Sequence, residues 1–150
     1  MGNQWFEDFE VGQRFVSQGV TLTEASIIDF ATRYDPQRFH IDREAAAQTH
    51  FGGIIASGFQ TLGLSFRMFF ELGVLRDSGI GAPGIEELRW TAPVRPGDTL
   101  HTEVEVIEVR PSRSKSDRGT VRLHYAALNH RGETVMTLIV PQIVSRRPSV

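Results

Sequence analysis

The sequence predicts an α+β fold in which an antiparallel sheet curls around one long apolar helix. The first sign is the stretch from about Gly58 to Leu72. Phe59, Leu62, Phe66, Phe69 and Phe70 recur there at helical spacing, and Leu64, Met68 and Leu72 fall on other faces. A helix apolar on most sides is one that must be wrapped. The second sign is a change of period after it. Leu100, Thr102, Val104 and Val106 alternate with His101, Glu103 and Glu105, and Val121, Leu123 and Tyr125 alternate with Arg122 and His124. The third is the punctuation: Pro96-Gly97-Asp98, Pro111 to Gly119 and Asn129-His130-Arg131-Gly132 read as turns between strands. Helical segments followed by a run of strands is an α+β layout. The 150 residues show no repeat, low-complexity tract or linker, and suit one domain over 1–150.

The elements follow in order. Phe9 to Val16 reads as a turn into a short strand. Thr23 can cap the next helix, its side chain accepting from an unpaired first-turn N–H. Ile27, Phe30, Ala31 and Tyr34 then form one apolar stripe. Pro36 disfavours helical geometry at Asp35, so the helix stops there and Asp35 projects from its end. Gln37 to Ile41 is expected to be an extended loop. Asp42 can cap a small helix over Glu44 to Gln48, and Phe51-Gly52-Gly53 is a turn. Gly73 ends the long helix. Ile85 to Trp90 is a strand. Arg113 to Arg118 is a solvated hairpin tip. Val135 to Val144 is the last strand, where Pro141 suggests an edge or a bulge.

Composition narrows the function. Net charge is −2, so no basic excess points to nucleic acid or an anionic membrane. The absence of cysteine removes disulfides, thiolate metal sites and a cysteine nucleophile. Met1 to Phe6 has no signal-peptide pattern, and Arg67 and Glu71 interrupt the most apolar stretch, so a cytoplasmic protein without a membrane span is expected.

Chemistry concentrates in Asp35-Pro36-Gln37-Arg38-Phe39-His40, which places a carboxylate and an imidazole five residues apart. Pro36 fixes the chain's exit from the helix, and a fixed backbone is what a precise site needs. The apolar neighbours Phe39 and Ile41 are expected to raise the carboxyl pKa and strengthen Asp35 as a base. Gly58 opens the long helix, whose first-turn N–H groups are unpaired and favour a developing oxyanion. Glycine there would let a bulky ligand approach the backbone. A base, an acid and an oxyanion donor together could add water to an activated double bond.

Other motifs fail on context. Gly79-Ile80-Gly81-Ala82-Pro83-Gly84 matches G-x-G-x-x-G, but it follows a helix and precedes a strand, so it is a loop and not a dinucleotide site. His50, His101, His124 and His130 have no metal-ligand spacing with one another, and His101 and His124 occupy solvent-facing slots. No serine has a nucleophile-elbow context.

Three segments resemble the MaoC-like dehydratases, or (R)-specific enoyl-CoA hydratases: Asp35 to Asp42, Phe51 to Gly58, and Pro93 to Leu100. The resemblance implies the hot-dog fold, a homodimer or larger homo-oligomer, and hydration of enoyl-CoA or dehydration of 3-hydroxyacyl-CoA thioesters. It implies no metal and no cofactor beyond the coenzyme A of the substrate. Asp35 and His40 match the catalytic pair, a water being held between them. Gly58 matches the glycine whose N–H receives the thioester oxygen. Gln37 stands where the family motif has Asn, Pro36 lies two places before the usual proline, and Ser57 replaces a common His. A helical serine that orients the pair in some members has no aligned counterpart, which leaves Ser57 and Ser65 as candidates. Two other functions fit the same fold: an acyl-CoA thioesterase, and a non-catalytic acyl-thioester-binding subunit.

Overall fold

The computed structural model describes residues 1–150. A 3-10 turn over Phe6–Asp8 leads into β1 (Arg14–Val16) and β2 (Val20–Thr21). Helix α1 covers Glu24–Tyr34. Thr23 caps it, its hydroxyl oxygen accepting from the Ser26 N–H at 3.1 Å. Short helices α2 (Arg38–Ile41) and α3 (Arg43–Ala47) precede the long helix α4 (Gly58–Phe70). Strands β3 (Gly79–Gly81), β4 (Glu86–Trp90), β5 (Thr99–Pro111), β6 (Arg118–Leu128) and β7 (Thr134–Ser145) complete the chain. Replacing Thr23 by Ala removes an exposed cap and should lower stability by about 1 kcal/mol, read as a shift in the urea midpoint with unchanged slope.

One antiparallel seven-stranded sheet runs β1-β5-β6-β7-β3, with β2 added on β5 and β4 on β7. Its period-two pattern is real: Leu100, Thr102, Val104, Val106, Val121, Leu123 and Tyr125 are buried. His101 and His124 alternate with them on the outer face, as expected of solvent-facing slots. Helix α4 lies against the inner face. Phe69 packs edge-on to Phe15 of β1 at 5.8 Å and to Tyr125 of β6 at 5.5 Å. Burying such a ring contributes about 1.5–3 kcal/mol.

Several expectations need correcting. Residues 38–41 form a helical turn, not an extended loop; the Asp42 N–H closes it on the Arg38 carbonyl at 2.9 Å. Gln37, extended at φ −71° and ψ 143°, starts that turn. Helix α4 stops two residues before Leu72, and Gly73 follows at φ +80°. The sheet does not wrap α4 completely. Thr61, Ser65, Met68 and Phe69 are buried, whereas Phe59 and Phe70 are exposed. Gly79–Gly81 is a short strand on β7, and only the rest of the Gly79 to Gly84 stretch is loop.

Pro141 lies on an interior strand without a bulge in its pairing to β6, but at a point where the other side of that strand is open like an edge. It pairs with Arg122 in a register that stays regular around it, and β7 has neighbours on both sides. The Ser145 N–H points to Ser78 on the β3 side, so alternation aims the Pro141 nitrogen the same way. There the partner chain has left β3 at Gly81 and has not yet entered β4 at Glu86. No ladder bond is lost, which is the condition for proline inside a sheet.

Candidate active site

Three consecutive local events bring Asp35 and His40 together. Helix α1 ends at Asp35, whose N–H still bonds the Ala31 carbonyl at 2.9 Å while its ψ of 69° leaves the helix. Pro36 and Gln37 carry the chain across. The α2 turn then reverses it and points His40 back. As a result His40 Nε2 lies 3.2 Å from Asp35 Oδ2, with side chains only 5% and 12% accessible. An extended 37–41 segment would have separated them.

The other ring nitrogen fixes the tautomer. His40 Nδ1 lies 2.7 Å from the Ile55 carbonyl oxygen. A carbonyl only accepts, so Nδ1 carries a hydrogen. The contact between Nε2 and Oδ2 then requires one further hydrogen, shared between imidazole and carboxyl. At 3.2 Å those two atoms touch directly, so a water cannot sit between them as expected.

Two more donors reach the carboxylate. The Ser57 hydroxyl donates to Oδ2 at 2.7 Å, and the Gln37 amide donates to Oδ1 at 2.8 Å. Burial pushes the carboxyl pKa up. The hydrogen bonds from Gln37 and Ser57, with the charge and hydrogen bond of His40, outweigh it and hold Asp35 below its ordinary value. The expected upward shift from Phe39 and Ile41 is therefore reversed, because polar donors face the carboxylate. The sign for stability follows. A depressed carboxyl pKa contributes stability that is present above the unfolded value and is lost as pH falls through the folded one. The melting-temperature advantage of wild type over Asp35→Asn should shrink on acidification, read in parallel thermal melts.

Ser57 does two jobs. Its oxygen also accepts from the Phe59 N–H at 3.2 Å, capping α4. Ser65 is fully buried in the middle of α4, donates to the Thr61 carbonyl at 2.8 Å, and does not reach the pair. The Gly58 N–H has no acceptor within the chain.

Asp35, His40 and Gly58 all line one cavity of about 430 Å³. Gln37 and Thr61 add polar groups; Phe51, Ile55, Phe59 and Trp90 supply apolar walls. Volume and lining are those of a site for a small molecule with an apolar body. No group of three or more His, Asp or Glu side chains has a metal-holding arrangement. No helix is long and apolar enough to cross a membrane.

Gly58 is needed for a reason other than ligand access. A Cβ there would come within 2.3 Å of the Trp90 indole. The indole Nε1–H donates to the Gly58 carbonyl at 3.1 Å, and the ring meets Phe59 edge-on at 5.9 Å. Trp90 lies 32 residues away in sequence, and no local pattern signals the contact. Ser57 was more legible, since a serine directly before a helix start is a cap signal.

Comparison with known proteins identifies the family and the fold. The model of the MaoC-like domain matches residues 8–127. A MaoC-like dehydratase from Rhodospirillum rubrum superimposes with a TM-score of 0.91 at 39% identity, covering 97% of this chain and 99% of that one. The 3-hydroxybutyryl-CoA dehydratase of Methylorubrum extorquens is 36% identical over 114 residues, 75% of this chain and 69% of that protein. The unliganded R-hydratase PhaJ1 of Pseudomonas aeruginosa has a TM-score of 0.77 at 27% identity, covering 96% of this chain and 86% of that one. With its α4-and-sheet architecture, this chain has the hot-dog fold and belongs to the MaoC-like dehydratase family.

Proposed function

We propose that the protein is a hydro-lyase of the (R)-specific enoyl-CoA hydratase type, interconverting enoyl-CoA and 3-hydroxyacyl-CoA thioesters. One observation carries the reading: Asp35 and His40, in contact with each other, line the same cavity as Gly58, whose N–H has no partner in the chain. The thioester oxygen accepts from Gly58, which draws electrons from the conjugated alkene and stabilises the developing enolate. Asp35 takes a proton from water as the oxygen bonds to the β-carbon. The hydrogen shared with His40 is placed to protonate the α-carbon. Positioned acid–base groups of this kind contribute about 10²–10⁴ in rate. No metal or redox cofactor enters the reaction so written; coenzyme A enters as part of the substrate.

A homodimer is part of the same reading. Phe59, Phe70, Ile80, Ile85 and Trp90 are exposed on α4 and on or beside the β3 and β4 strands, an apolar surface suited to a second copy.

The test is a panel of enoyl- and 3-hydroxyacyl-CoA substrates of varied length and branching. Loss of the enoyl absorbance without thiol release is the expected result. Thiol release would assign a thioesterase instead, and binding without turnover of any member would assign a non-catalytic subunit.

A further inference from the structure

We propose that Ser57 and Gln37 are positioning residues that together leave Oδ1 of Asp35 as the carboxylate oxygen free to take a proton from water. The inference deepens the hydratase reading and rests on it. Oδ2 is already engaged twice, by the Ser57 hydroxyl at 2.7 Å and by His40 Nε2 at 3.2 Å. A carboxylate oxygen has two lone pairs, so Oδ2 has none left for water. Oδ1 accepts only from Gln37, at 2.8 Å, and keeps one. Asp35 and Gln37 both line the cavity, which puts this carboxylate at the cavity wall.

This division of labour makes the proton accounting close. At the start the pair holds one mobile hydrogen, between Nε2 and Oδ2; the other ring hydrogen stays on Nδ1, donated to the Ile55 carbonyl. In hydration, water transfers one proton to Oδ1 as its oxygen bonds to the β-carbon. The alkene π pair moves to the α-carbon and is delocalised onto the thioester oxygen. The α-carbon takes the hydrogen from Nε2. The pair again holds one hydrogen, now on Oδ1, and relaxation across the carboxyl group restores the start. Water is added in full, and the enzyme neither gains nor loses a proton.

Ser57 also ties this arrangement to the substrate's oxygen. Its hydroxyl donates to Asp35 and accepts from the Phe59 N–H, one residue beyond the Gly58 N–H proposed to hold the thioester. One side chain thereby sets the distance between the base and the oxyanion donor. His40 is the only titratable side chain in contact with the Asp35 carboxylate; Gln37 and Ser57 supply its other donors.

The test combines kinetics with a readout independent of turnover. Wild type, Ser57→Ala, Ser57→Thr and Gln37→Leu are compared in kcat, KM and the pH profile of kcat/KM. The ionisation of Asp35 is followed in each by carboxyl carbon NMR, assigned with Asp35→Asn. Ser57→Ala and Gln37→Leu should each lower kcat about 10- to 100-fold, the weight of a hydrogen bond to a charged group. KM should hardly change, and the acid limb and the Asp35 titration should both move to higher pH. Ser57→Thr keeps the hydroxyl and should restore the profile. Gln37 is exposed, so Gln37→Leu leaves the core untouched if Ser57→Ala folds poorly. An active wild type whose variants keep kcat and both titrations overturns the proposal and spares the hydratase reading. A wild type that hydrates no enoyl thioester overturns the hydratase reading and the proton route, whatever the NMR titrations show.

Discussion

Asp35→Asn should fold, bind acyl-CoA with little change, and lose at least about 10³ in hydration rate. The magnitude is the middle of the range for a positioned acid–base group. The direction follows from the hydrogen bonds. The Asn carbonyl oxygen can still accept from a neighbouring donor, and the residue volume is nearly unchanged, so packing around the site is kept. What goes is the charge. An amide cannot take a proton from water at neutral pH, and its NH₂ group cannot share a hydrogen with His40 Nε2 as the carboxylate does across 3.2 Å. The loss should fall on kcat, because the cavity's apolar walls, proposed to hold the acyl chain, are other residues, among them Phe51, Ile55 and Trp90. Stopped assays on an enoyl-CoA substrate, together with a melting curve and acyl-CoA titration calorimetry, separate the three quantities. Wild-type turnover in this variant would rule Asp35 out as the base.

The site's parts were legible in sequence to different depths, and the reasons are physical. Asp35 and His40 were visible because Pro36 marks a forced helix end and the two residues are near in sequence. The sheet was visible because burial on one face imprints period two, as at Leu100, Thr102 and Val104. The α2 turn was not visible. Four residues are too few to carry a helical period, and its stability comes from Asp42 closing on Arg38 and from Phe39 packing on Phe51 at 5.4 Å. The direction of the Asp35 pKa shift is hidden from the sequence for a related reason. Neighbours in sequence, Phe39 and Ile41, suggested an apolar surround, but the side chains facing the carboxylate include Ser57, 22 residues on. The open flank of α4 was hidden too, since an apolar face reads the same whether its own sheet or another chain covers it.

Gly58→Ala should cost about 1–3 kcal/mol in stability and a smaller factor in activity than Asp35→Asn, and Trp90 is the reason. The new methyl would sit 2.3 Å from the indole Cε2 and 2.5 Å from Nε1, well inside contact distance. Inserting volume into a packed contact costs about that much. Trp90 is 48% accessible within its own chain, so the ring can swing away without deforming that chain's core. Swinging breaks its bond to the Gly58 carbonyl and its edge contact with Phe59, and removes a wall of the cavity. The Gly58 N–H itself survives, which is why the rate falls less than on loss of the base. The Trp90→Ala background separates crowding from backbone strain. Gly58 is not among the glycines with positive φ, so alanine suits its conformation. With the indole gone, alanine at the helix start should be neutral or stabilising by up to about 1 kcal/mol, as its helix propensity dictates. The same substitution therefore changes from destabilising to neutral or stabilising between the two backgrounds, a coupling that a double-mutant cycle reads directly. An equal cost with and without the tryptophan would mean that something other than the indole demands glycine at this position.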